Sequence, residues 1–309
     1  MKTINLAVDI CGVKLKNPII AASGTFNFGR EFTDYLDIGD IGAITITGLT
    51  LEPKHGNAPP RIAETPSGIL NSVGLQNPGV EYFIENELPF LLEQDAKIIA
   101  NINGTTIEEY CKLAEKLNTY PIDLIELNIS CPNVKEGGLA FGTYPEGVFD
   151  VTKAVKAYTQ KPLIVKLTPN TADIKETAKA AVESGCDGIS LINTLMGMAI
   201  DVKRRRPILA NVTGGLSGPA IKPVALRMVW EVANAVDVPI IGMGGIINGI
   251  DAVEFLMAGA DCVGIGTANL IDPTACIDIL DGLTDFMVEQ NIENINSIVG
   301  SLIIQRRRD

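Results

Sequence analysis

The sequence predicts an α/β chain folded as a (β/α)8 barrel, with a short N-terminal hairpin and long loops over the C-terminal face of the strands. Three observations carry this. Eight short apolar runs recur, each ending in small or polar residues; helical periodicities lie between most of them; and 309 residues suit one such barrel, a single domain over residues 1–309. A doubly wound open sheet is the structural competitor.

Residues 3–15 alternate loosely around Gly12, the pattern of a small hairpin before the main fold. The runs that follow cover 18–24, 43–48, 97–104, 124–131, 163–170, 188–194, 239–246 and 262–268. They are rich in Val, Ile and Leu, as parallel strands buried on both faces must be. Helical periodicity marks 106–117, 145–158, 172–184, 223–236 and 250–258, with Gly185 and Gly259 standing where two of these helices end. Two insertions break the even spacing. Residues 49–82, punctuated by Pro53, Gly56, Pro59-Pro60, Gly68, Gly74 and Pro78-Gly79, read as an ordered loop over the barrel mouth rather than a helix. Residues 195–222 form the other, and their Gly214-Gly-Leu-Ser217-Gly218-Pro219 run leaves backbone amides available to an anion near a helix start.

Composition bounds the partners. Hydrophobic residues make up 46% of the chain and aromatics only 5%, so the core is aliphatic. The formal net charge of −12 argues against a nucleic-acid or anionic-membrane partner, each of which needs a cationic face. The runs Lys203-Arg-Arg-Arg206 and Arg306-Arg-Arg308 are short and read as a solvated loop and tail. Six cysteines at 11, 111, 131, 186, 262 and 276 form no C-x-x-C pair, which leaves zinc and iron–sulfur sites without their usual spacing and suits reduced thiols in the cytoplasm. No secretory segment and no apolar window of about 18 residues is present, which points to an intracellular, non-spanning chain.

In this fold the chemistry sits at the C-terminal ends of the strands, and those ends form a polar ring. In order they supply Ala22-Ser23-Gly24, Thr47-Gly48, Asn101 with Asn103, Asn128 with Cys131, Lys166 with Thr168, Asn193-Thr194, Gly244-Gly245 and Gly266-Thr267. The densest stretch is Leu124-Ile-Glu-Leu-Asn-Ile-Ser-Cys131-Pro-Asn133, where a thiol follows a buried strand and Asn128 and Asn133 flank it with amides able to hold a planar polar ligand. A thiol's reference pKa of about 8.5 fits a proton acceptor or nucleophile, although a small buried hydrophobe is the commoner fate of such a cysteine. Gly244-Gly245 and Gly266-Thr267 stand after the seventh and eighth runs, where such barrels commonly hold phosphate. A phosphorylated cofactor such as FMN would lie across the mouth, with Lys166 beneath its ring to stabilise negative charge. No G-x-G-x-x-G follows a strand, so a Rossmann nicotinamide site is absent, and the single histidine, His55, reads as a solvated loop residue, leaving Cys131 as the best base.

Several segments together resemble the dihydroorotate dehydrogenase family over nearly the whole chain. They are Asn71-Ser-Val-Gly-Leu-Gln-Asn-Pro-Gly79, Asn128-Ile-Ser-Cys-Pro-Asn-Val-Lys-Glu-Gly-Gly138, Ile192-Asn-Thr-Leu-Met-Gly197, Gly214-Gly-Leu-Ser-Gly-Pro-Ala-Ile-Lys-Pro223 and Ile241-Gly-Met-Gly-Gly245. Val134-Lys-Glu-Gly-Gly-Leu-Ala-Phe-Gly142 is similar to the B-type, NAD-linked catalytic subunit rather than the fumarate-linked form, and Cys131 stands where the quinone-linked class carries serine. The resemblance implies that Cys131 removes a proton from C5 of dihydroorotate while C6 delivers hydride to FMN. It implies substrate contacts from Thr47, Asn71, Val73, Gly74, Leu75, Asn128, Asn133, Asn193 and Thr194. It implies cofactor contacts from Ala22, Ser23, Gly24, Thr47, Gly48, Asn101, Asn128, Lys166, Ile192, Gly218, Gly244, Gly245, Gly266 and Thr267. It further implies a homodimer docked with an FAD and [2Fe-2S] subunit that passes electrons to NAD. The departure is Thr47, where the family normally has lysine close to substrate and flavin. Competing readings are an enzyme of another dihydropyrimidine lacking the carboxylate, and a non-catalytic flavin-binding relative.

Overall fold

Strands that are apolar on both faces pair in parallel only when helices cover them from outside, and here they close on themselves. In this computed structural model, which describes residues 4–130 and 140–304, eight parallel strands form a closed barrel. They are β1 (Ile19–Ala21), β2 (Ala43–Thr45), β3 (Lys97–Ile102), β4 (Leu124–Asn128), β5 (Leu163–Lys166), β6 (Gly188–Leu191), β7 (Ile240–Met243) and β8 (Cys262–Ile265). Each pairs with its sequence neighbour, and β8 returns to β1 with Gly264 opposite Ile20. An open doubly wound sheet would leave two edges, and this sheet has none. Every strand begins and ends within its apolar run.

The helices outside the barrel also follow the sequence pattern. Ile107–Leu117, Pro145–Tyr158, Ile174–Glu183, Lys222–Ala233 and Gly249–Met257 match the five periodic segments within a few residues. Three of their starts are capped by a side chain, among them Thr106, whose Oγ1 accepts from Glu109 N at 3.3 Å, and Asn248, whose Oδ1 accepts from Asp251 N at 2.9 Å; the other two have proline in the first turn. Ala275–Glu289 is the helix after β8, separated from it by the short helix Ala268–Ile271. Among the described residues no helix is long and apolar enough to cross a membrane.

At the N-terminal end of the barrel the expected hairpin pairs Val8–Ile10 with Val13–Leu15, turning through Cys11 and Gly12, both at positive φ. Ile10 and Leu15 are buried, and the Cys11 thiol packs against Gly188 at the start of β6. A repeated device finishes this end. Asp123, Asp187 and Asp261 each precede an even-numbered strand and accept a backbone N–H from the preceding odd one: Ile98 at 2.9 Å, Leu163 at 2.7 Å and Ile240 at 2.8 Å. The hydrogen-bonding groups that the strand starts leave open are thereby satisfied.

The insertions depart from the loop expectation. Residues 49–82 contribute the strands Ile62–Thr65 and Gly68–Asn71 and the start of a helix at Val80, and residues 195–222 contribute Leu195–Met198 and Thr213–Ser217. The four strands form one antiparallel sheet in which Gly68–Asn71 pairs with Thr213–Ser217, Asn71 facing Gly215 and Ile69 facing Ser217. Gly-rich strands with little alternation carry no period-2 signal, and their partners are about 140 residues away, so only the folded chain supplies the pairing. The basic run 203–206 is exposed at a turn between Ile200–Asp201 and Arg206–Pro207, and His55 is exposed in its loop. Arg306, Arg307 and Arg308 lie outside the described residues.

Candidate active site

The C-terminal ends of β1, β3, β4, β5 and β6 meet in a buried polar layer just beneath the barrel mouth. At its centre is Glu126 of β4, 1% exposed, in a strand otherwise apolar up to Asn128. One carboxylate oxygen, Oε1, accepts from Ser190 Oγ at 2.7 Å. The other accepts from Asn101 Nδ2 at 2.5 Å and faces Lys166 Nζ at 3.5 Å. Lys166 also donates to Ser23 Oγ at 3.1 Å, and Asn103 Nδ2 donates to Asn101 Oδ1 at 2.8 Å. Gly48 lies against these two amides, since a Cβ there would collide with Asn103 Nδ2. Ser23, Gly48, Asn101 and Lys166, proposed from sequence for one ligand, are thus brought together; Glu126 and Ser190 were missed. The signal for Glu126 was a carboxylate inside an apolar strand.

A second group sits at the mouth itself. Asn193 Nδ2 donates to Ser130 Oγ at 2.8 Å and reaches Asn128 Oδ1 at 3.3 Å, while the Asn128 carbonyl accepts from the buried Tyr110 hydroxyl at 2.7 Å. Thr194 packs on Gly215, and Asn71 Nδ2 reaches the Gly215 carbonyl at 3.4 Å, so both residues lie against Gly215. Asn170 ties that corner to β5 by donating to the Thr194 carbonyl at 2.9 Å. Val73, Gly74 and Leu75 lie in the following loop. Val73 accepts from Asn57 N and Leu75 from Asn77 Nδ2, so this segment is held by its own insertion rather than by the strand ends. Thr47 is half-buried just beyond β2, its N–H donating to the Asn27 carbonyl at 3.1 Å. Cys131 and Asn133 lie outside the described residues.

The third group is rich in backbone amides. Thr267 Oγ1 donates to Ser217 Oγ at 2.8 Å, joining the loop after β8 to the antiparallel sheet. Gly244 and Gly245 have φ of 131° and 81°, and a Cβ on Gly245 would stand 2.8 Å from the Gly218 carbonyl oxygen and 2.9 Å from Lys222 N. Gly245 is therefore required by the close approach of two backbone segments, the loop after β7 and residues 218–222, and that convergence brings main-chain groups of both to one side of the mouth. Ile192 and Ala22 are buried beside this group: Ile192 packs near Gly244, and Ala22 is the nearest heavy-atom neighbour, at 4.0 Å, of a Cβ built on Gly266. Gly24 has open space around it.

The remaining thiols do not suit acid–base work. Burial pushes Cys11, Cys186 and Cys276 up to about 12, and raises Cys111 and Cys262 as well. They stay protonated near neutrality.

Comparison with known proteins decides the family. The dihydroorotate dehydrogenase model matches residues 5–287. The chain belongs to the dihydroorotate dehydrogenase family. It is an oxidoreductase of that family, whose activity serves pyrimidine synthesis. It is 61% identical to the dihydroorotate dehydrogenase B (NAD(+)) catalytic subunit of Alkaliphilus metalliredigens, over 98% of this chain and 100% of the relative. Identity to the subunit of the same description from Thermoanaerobacter pseudethanolicus is 57%, over 97% and 99%. These relatives bear out the resemblance to the NAD-linked B type. A crystal structure of dihydroorotate dehydrogenase from Eimeria tenella in complex with ferulenol shares the fold with a TM-score of 0.80, covering 96% of this chain and 88% of that one; at 22% identity the likeness concerns the fold alone.

Proposed function

We propose that this chain, as one barrel domain over residues 1–309, oxidises dihydroorotate to orotate with FMN bound at its mouth and acts as the catalytic subunit of a larger cytoplasmic complex. The observation that carries the reading is the buried Lys166 ammonium, held by Ser23 and Glu126 beneath a mouth lined by glycine backbone and carboxamides. A cation so placed fits a ring that gains negative charge on reduction. The clustered donors of Gly218, Gly244, Gly245, Gly266 and Thr267 fit a phosphate, and Ala22, Ser23, Gly24, Thr47, Gly48, Asn101, Asn128, Lys166 and Ile192 would surround the ring system. FMN, when bound there, supplies the two-electron acceptor for the hydride leaving C6 of the substrate.

The rest of the chemistry belongs to the protein. Asn71, Asn128, Asn133, Asn193 and Thr194, with Thr47 and the 73–75 loop, would hold the pyrimidine edge and carboxylate through neutral amide and hydroxyl groups. Cys131 would take the proton from C5; its sequence neighbours Asn128 and Ser130 are themselves tied to Asn193. Electrons would leave through an FAD and [2Fe-2S] subunit to NAD, in a heterotetramer built on a homodimer of this chain. The words "catalytic subunit" and "NAD(+)" in the relatives' names support that assembly.

A second reading is favoured by Thr47: a pocket without a cation there suits a dihydropyrimidine lacking the carboxylate. Rapid mixing of the flavin-loaded chain with dihydroorotate or dihydrouracil separates the two. Fast bleaching by dihydroorotate is expected; bleaching by dihydrouracil alone would transfer the assignment to the second reading.

A further inference from the structure

The interior of a (β/α)8 barrel is ordinarily filled by branched apolar side chains, and here a carboxylate and an ammonium share it. Burying such a pair is a weak way to stabilise a fold, because desolvation of both ions offsets their attraction. The arrangement around Glu126 is nevertheless complete. Asn103 donates to Asn101 Oδ1, which turns the Asn101 amide so that its Nδ2 points at Glu126; Ser190 supplies a second donor, and Lys166 a third at longer range. These groups come from β3, β4, β5 and β6, four adjacent strands, so the carboxylate is clamped on three sides. Lys166 has three N–H donors, and Ser23 and Glu126 take two of them. The third is left for a ligand at the mouth.

We infer that Glu126 is a positioning residue that fixes Lys166 beneath the flavin site and offsets part of its charge, so that it sets how strongly the reduced flavin is favoured. The inference rests on the FMN reading above. Glu126 lies in the layer beneath the mouth and acts on the ring's charge through Lys166, while Asn101, bonded to the same carboxylate oxygen, is a neutral flavin-site neighbour that it also orients. With the carboxylate gone, Lys166 presents an undiminished positive charge to the ring, and the reduced, more negative flavin gains relative to the oxidised one. Thr47 gives this weight, because position 47 carries no charge and, among the described strand-end residues, Lys166 is the cation that Glu126 tempers.

The test is a spectroscopic redox titration of the flavin-loaded full chain, with FMN content and Tm recorded alongside. Glu126→Gln is expected to bind reduced FMN about tenfold more tightly relative to oxidised FMN, an upward shift of about 30 mV for a two-electron couple. Glu126→Asp, which keeps the charge but withdraws it, is expected to fall between that variant and the parent, and serves alone if Glu126→Gln does not fold. Ser190→Ala removes a hydrogen bond to Glu126 without removing charge, and its expected shift is less than a third as large. Unchanged or lowered potentials in Glu126→Gln, or in Glu126→Asp where that variant alone folds, overturn the inference while leaving FMN binding intact. A parent chain that takes up no FMN would overturn the cofactor reading itself, and this inference with it.

Discussion

The two ends of the barrel use polar groups in opposite ways. At the N-terminal end, Asp123, Asp187 and Asp261 each accept a strand N–H, and Asp123 and Asp187 are further paired with Lys97 and Lys156 near solvent. These carboxylates are engaged by strand starts and neighbouring lysines. At the C-terminal end, Glu126, Lys166, Asn101 and Ser190 bond to one another across strands, and donors remain on Lys166 and on the glycine-lined backbone. The first arrangement closes a fold, and the second holds chemistry ready. Substitutions at the mouth should therefore change rate or affinity with small effects on stability, and substitutions at the foot should do the reverse.

The largest effect expected is at Cys131. Cys131→Ala should keep FMN and lose about 100-fold or more of dihydroorotate-driven flavin reduction, the usual cost of removing a positioned general base. Stopped-flow absorbance measures it, and near-normal reduction would remove Cys131 from the mechanism. Next comes Thr47→Lys, which adds a cation to a pocket proposed for a carboxylate. Hydrogen bonds to charged groups contribute about 1.5–3 kcal/mol, so orotate should bind roughly ten- to a hundredfold tighter, in a salt-sensitive way, with uracil binding nearly unaltered. Titration calorimetry with both ligands gives the answer; equal gains for the two would mean that the carboxylate does not lie near residue 47.

At the foot, Asp187→Ala strips the acceptor from Leu163 N and from Lys156. A cost of about 1–3 kcal/mol in urea unfolding is expected, with the flavin-reduction rate constant of the folded protein unchanged. A rate loss matching the stability loss would break the division between the two ends. The smallest effect concerns pH. Burial raises the Asp261 carboxyl above its ordinary range, against the lowering by the Ile240 N–H. The folded chain thus holds that proton more tightly than the unfolded one. The associated stability is present below about pH 4 and is lost as pH rises through the folded-state value. Asp261→Asn should lack this component, so its urea midpoint should gain on the parent's as pH rises from 4; a constant gap would show that Asp261 does not titrate abnormally.

Legibility in the sequence followed the range of the interactions. The eight strands were readable because each is a local run buried on both faces, and the helices because their caps and apolar faces lie within a few residues. The four-stranded sheet over the mouth was not, since Gly68–Asn71 and Thr213–Ser217 show little alternation and find each other across the whole barrel. Of the site, Ser23, Asn101, Asn128, Lys166 and Asn193 were legible as polar residues at strand ends. Glu126 was passed over because a carboxylate in an apolar run makes sense only beside its partners, and these stand 25, 40 and 64 residues away in Asn101, Lys166 and Ser190.

The pairing of Gly68–Asn71 with Thr213–Ser217 has a metrical consequence. At one end of this ladder Asn71 and Thr194 each lie against Gly215, the place proposed for the substrate; two residues along, Ser217 bonds Thr267 beside the proposed phosphate. Two residues of extended chain span about 7 Å, so the gap between the two ligand-holding corners is ruled off by strand register and not by the barrel's girth. Slipping the ladder by one residue would alter that gap and turn every side chain on the shifted strand to the opposite face. Insertions and deletions that other surface loops absorb would here be read directly as a misfit between two molecules lying side by side.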